Sequence, residues 1–131
     1  MLRRFVSGSA IASIGIAFGA LVVLLAPAVT QQRIYPLTVV WCFVPAVWGL
    51  WTMFAPVAWV PQRLPQWGAI LGVIAGVLAA FLLNLPSRVS GQVVPVTFRA
   101  VAVALIVVIY YFLWMLVRLA YRSLGTPAPT A

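Results

Sequence analysis

The chain has 131 residues, of which 66% are hydrophobic and 6% charged, with a mean hydropathy of +1.18. A soluble domain of this size needs about a quarter charged residues to cover its surface, so the composition excludes water as the main solvent and leaves lipid as the outer surface. The eight charged side chains are all arginine, with no Asp, Glu or His, for a net charge of +8; because they are scattered between apolar runs, no basic face for nucleic acid can be drawn.

In chain order, Arg3 and Arg4 open an apolar run over 5–29 that is long enough to cross a hydrocarbon core of about 30 Å. Ala26, Pro27 and Ala28 resemble a signal-peptide cleavage site, but the run is longer than the apolar region of a signal, so a retained first helix is expected. A polar connector, Thr30 to Arg33, leads to a second helix over 37–57. A turn around Pro61, Gln62, Arg63 and Pro65 precedes a third helix over 67–85, and a connector from Pro86 to Pro95 precedes a fourth over 96–117. The tail, 125–131, is rich in Pro, Thr and Ala and is expected to be disordered.

Each run is continuously apolar, whereas barrel strands alternate, so the expected fold is all-α. Short connections predict four transmembrane helices in an antiparallel up-down-up-down bundle, forming a single domain over 1–124. On that topology Arg3, Arg4, Arg63, Arg118 and Arg122 fall on one side and Arg33, Arg88 and Arg99 on the other. The excess of positive charge predicts both termini in the cytoplasm, with a bacterial inner membrane as the expected location.

Two helices carry distinctive patterns. Gly68, Gly72 and Gly76 recur every four residues and are continued by Ala80, a smooth stripe on the third helix that admits a close partner backbone. Gly15 and Gly19 form a matching element on the first helix, so helices one and three are expected to pack through these residues, either within the chain or between copies of it. The second helix is rich in rings: Trp41 and Trp48 are seven residues apart, and Pro45 lies between them. Proline removes a backbone hydrogen bond and predicts a kink there. Trp41, Trp48 and Pro45 are therefore a candidate apolar-ligand groove, set against the plainer reading of rings that fill space.

Chemistry is constrained by absence from the sequence. Without His, Asp or Glu, acid–base work falls to Tyr, Cys42 or the termini, so no enzyme, metal site or cofactor is expected. Arg88, Arg99 and Asn84 gather at one predicted interface and form a candidate anionic-lipid site, since guanidinium binds phosphate as a fork. Membrane lipids, anionic ones among them, are expected partners, together with another membrane subunit or further copies of the chain. Two function classes remain. The leading one is a structural or accessory subunit of a membrane complex; the other is a small oligomeric transporter or flippase-like protein for a lipid-linked or apolar compound.

Overall fold

Helix α1, Leu2–Leu24, is the first element of a computed structural model that describes residues 1–125, the side chains of Pro36 and Leu37 excepted. Of the expected tail, all but Gly125 lies outside the described residues. Those described are 82% helical and contain no strand. Helix α1 stops short of the predicted 29 because Pro27 disfavours helical backbone in the residue before it. Its free carbonyls are not wasted: the Gln31 amide donates to Leu24 O at 2.9 Å and to Ala26 O at 2.8 Å. Gln31 lies in α2, Ala28–Trp41, so the predicted polar connector is the start of a helix.

The ring-rich segment is broken. Helix α2 ends at Trp41 and α3, Val44–Met53, begins after two intervening residues with Pro45 in its first turn. There the missing N–H costs nothing, because the first turn has no intrahelical acceptors for its donors. A second bend separates Ala28–Tyr35 from Thr38–Met53 by 62°, where Pro36 interrupts the sequence. A 3₁₀ turn, Val57–Trp59, leads to α4, Leu64–Val77, which runs on through a π-helical turn, Leu78–Leu82. Asn84 then takes a left-handed backbone (φ 49°), a conformation that a short polar side chain tolerates, and turns the chain into α5, Leu85–Ser90. Gly91 (φ 72°) closes α5, and α6, Val96–Ser123, completes the order. Three helical stretches, Leu2–Leu24, Leu64–Leu82 and Val96–Ser123, are long and apolar enough to cross a membrane, and the bent pair makes up to four.

Two helix pairs organise the packing. Along α4 the glycines face α6: a Cβ at Gly68 would overlap the Trp114 ring, one at Gly72 would meet Tyr110 Cβ at 2.9 Å and Val107 Cα at 3.1 Å, and one at Gly76 would meet Val103 Cγ1 at 3.2 Å. Rising numbers on α4 meet falling numbers on α6, so the pair is antiparallel. Ala80, in the π turn, is also buried. The partner of the stripe thus differs from the expected first helix. Beyond its own turn of helix, Gly15 has no described atom within 4 Å of where a Cβ would sit, and Gly19 faces the Trp41 ring at 3.7 Å. Helix α1 instead packs on α3 further toward its N-terminus. Gly8 lies against Thr52 and the Trp48 carbonyl, Gly49 against Phe5 and Ser9, and Ser9 Oγ donates to Pro45 O at 2.9 Å. The spacing of Gly15 and Gly19 pointed to close packing, but the broken α2–α3 segment passes nearer to Gly8.

The core where the pairs meet contains Ala12, Trp48, Ala55, Leu64, Leu71, Trp114 and Val117. Trp48 joins them through Tyr110, with ring centroids 5.1 Å apart, and Trp114, at 5.6 Å. Such tilted ring pairs add about 1 kcal/mol beyond the area they bury.

Candidate functional site

Arginines hold the helix ends together where the sequence supplies no acid to pair with them. Arg3, in the first turn of α1, donates from Nε to Tyr121 O at 2.7 Å and stacks its guanidinium 4.0 Å from the Tyr121 ring centre. That carbonyl is among the last of α6, where orphan acceptors and the negative end of the helix dipole both favour a cation. Arg4 Nη1 donates to Ala55 O, just beyond α3, at 3.2 Å. Arg118 Nη1 donates to Gln62 O at 3.5 Å. Backbone carbonyls take the place of carboxylates at this end of the molecule.

At the same end, Trp51 and Trp67 bind α3 to α4 reciprocally. Trp51 Nε1 donates to Trp67 O at 3.1 Å, Trp67 Nε1 donates to Trp51 O at 2.8 Å, and the rings stack with centroids 4.9 Å apart. From this clasp α3 and α4 continue on either side of an open apolar groove of about 360 Å³, a volume within the range of small-molecule sites. The walls are Val44 and Val47 of α3 and Leu71, Ile74 and Ala75 of α4. Trp48 and Tyr110 also line it, and Val40, Trp41 and Phe43 extend it along the break between α2 and α3. Leu83 and Leu85 line it beside α5. Phe43 is 65% and Ile74 43% exposed, so the groove opens outward rather than into the core.

Of the predicted groove residues, Trp41 and Trp48 line this cleft and Pro45 does not; its carbonyl is turned to Ser9 on α1. What the rings alone did not reveal is the opposite wall, Leu71 to Leu78. Those residues read as an ordinary apolar helix, and only the folded chain shows the open space between them and α3.

The predicted polar trio divides. Arg99, half-buried at the start of α6, donates from Nε to Val94 O at 3.1 Å and lies 3.5 Å from Ser87 Oγ on α5. Arg88 is exposed in the last turn of α5. The side-chain oxygen of Asn84 is buried without a hydrogen-bond partner among the described residues. That oxygen is an acceptor, while the amide nitrogen beside it is a donor an anion could use; the backbone of Asn84 makes the turn into α5. A third arginine is close to the same helix, for the Arg33 guanidinium, from α2, lies against Gly91 at the other end of α5. Sequence reading placed Arg33 in a different connector, and only the approach of α2 to α5 brings it here.

Cys42, at the break after α2, is a free exposed thiol whose Sγ lies 3.9 Å from Thr38 O. When the chain is compared with protein-family models, curated proteins and solved structures, none matches it.

Proposed function

We propose that this chain is a non-catalytic, multi-pass membrane subunit that packs beside another membrane protein. The observation that carries the reading is the outward face of α1. Ala10, Ser13, Ala17 and Ala20 are all exposed there, at spacings of three, four and three that keep them on one side of the helix. In lipid, where no hydrophobic force drives helices together, such small side chains favour close approach of a further helix. A membrane helix facing only lipid gains nothing from them.

In this reading the bent α2–α3 pair is a fourth crossing and the helices form an antiparallel bundle. Contacts of Arg3 with the end of α6, and of Arg4 with the end of α3, support an even number of crossings, since they bring both chain ends to one side. The arginine excess at that end supports a cytoplasmic location for it.

The test is recovery of the tagged full chain from its native membranes in mild detergent. A stoichiometric second protein is expected, and Ala17→Ile, which fills the seam without touching the core, should release it while leaving the melting temperature unchanged. A chain recovered only with copies of itself overturns the subunit reading. That outcome would favour the second reading, a small oligomeric transporter or flippase-like unit for a lipid-linked or apolar compound, which the open groove supports independently.

A further inference from the structure

We infer that the groove and the arginines around α5 are one site, and that its occupant is an anionic phospholipid, with one acyl chain between α3 and α4 and its phosphate at Arg33, Arg88 and Arg99. The inference is independent of which protein, if any, packs on α1.

Three observations join the two halves. The groove reaches α5 itself, because Leu85, the first residue of that helix, lines it. Arg88 is three residues further on, hence on the same face of α5 as the groove-lining Leu85. Arg33 and Arg99 flank the same short helix, the first against Gly91 and the second beside Ser87. An amphiphile that follows the apolar wall to its end therefore arrives among three guanidinium groups.

Length and charge choose the occupant. From Leu71 to Leu83 the backbone rises about 18 Å at about 1.5 Å per residue, a little over half of a hydrocarbon core of about 30 Å. The groove is thus the length of one leaflet, which fits a lipid chain that ends at the interface. The sequence holds no Asp or Glu, so no side chain can neutralise these arginines. Among the described residues the side chain of neither Arg33 nor Arg88 donates a hydrogen bond, and both are exposed. A phosphate diester supplies the missing charge and accepts from guanidinium in the fork geometry. A zwitterionic lipid offers the same phosphate but adds a cation that these arginines repel.

Native mass spectrometry of the purified full chain tests this, with dioleoyl phosphatidylglycerol and dioleoyl phosphatidylcholine as probes. The wild-type chain should retain phosphatidylglycerol in preference to phosphatidylcholine. Arg33→Gln with Arg88→Gln, chosen because neither side chain makes a hydrogen bond that the fold needs, should lower phosphatidylglycerol retention about fivefold per arginine, about 25-fold together, and leave phosphatidylcholine retention unchanged. Ala75→Phe, which fills the groove from α4, should lower retention of both lipids; Ala79→Phe makes the same test if Ala75→Phe does not fold. Equal retention of the two lipids by the wild-type chain overturns the proposal, as does wild-type phosphatidylglycerol retention by the arginine variant. Undiminished retention by a folded groove variant overturns the tail half, and displacement of the lipid by glycerol phosphate alone shows a headgroup site without a chain.

Discussion

Gly72 and Gly15 belong to the same sequence pattern and stand in opposite surroundings. A side chain at Gly72 would press on Tyr110 Cβ and on the backbone of Val107, and neither can swing aside as the end of a flexible chain can. Gly72→Ile should therefore lower the melting temperature in detergent, through an overpacking cost of about 1–3 kcal/mol. Gly15→Ile meets open space and should leave it within the scatter of ordinary surface changes, about 0.5 kcal/mol. Equal effects from the two substitutions would show that the α4–α6 contact is not what holds the stripe. The glycines were legible in the sequence as small residues at helical spacing. Which of them touch anything was not, because spacing places residues on one face without saying what passes in front of it.

Among the elements, the proline-broken second segment departs most from a simple span. Proline in the interior of a continuous helix costs about 3 kcal/mol, so removing it from such a helix stabilises the protein by a comparable amount. In the first turn of α3 the cost vanishes, and Pro45→Ala should change stability by no more than about 0.5 kcal/mol. Denaturant or thermal unfolding in detergent distinguishes the two; stabilisation by several kcal/mol would mean that α2 and α3 are one strained helix. The kink itself was readable from Pro45. Its consequence was not: with the chain broken at Cys42 and Phe43, Trp41 turns to Gly19 and the groove while Trp48 joins Tyr110 and Trp114 in the core. Helix ends moved for equally local reasons. Pro27 ended α1 early, and Gln31, which reads as loop because it is polar, serves as a cap from within α2.

For the whole molecule the decisive question is whether the bent pair crosses the bilayer. With Cys42→Ser as background, Gln32→Cys and Gln62→Cys should react with an impermeant thiol reagent from opposite sides of sealed vesicles. Reaction from the same side would show that Ala28–Met53 doubles back, leaving three crossings. Both positions are exposed, so labelling reports topology rather than access through a packed core.

Composition and continuous apolar runs by themselves determined that the chain is helical and suited to lipid, since a backbone without water must satisfy its own hydrogen bonds and eight arginines are too few to cover a soluble surface. The glycines, the rings and the interfacial arginines were visible as an inventory. Tertiary structure decided how they combine: the stripe meets α6 instead of α1, backbone carbonyls receive Arg3 and Arg4, and α3 and α4 leave between them a groove that reaches α5. The second segment bends by 62° between Ala28–Tyr35 and Thr38–Met53. A bend of that size re-aims the helix face beyond it, and no local pattern of residue types encodes where that face comes to rest.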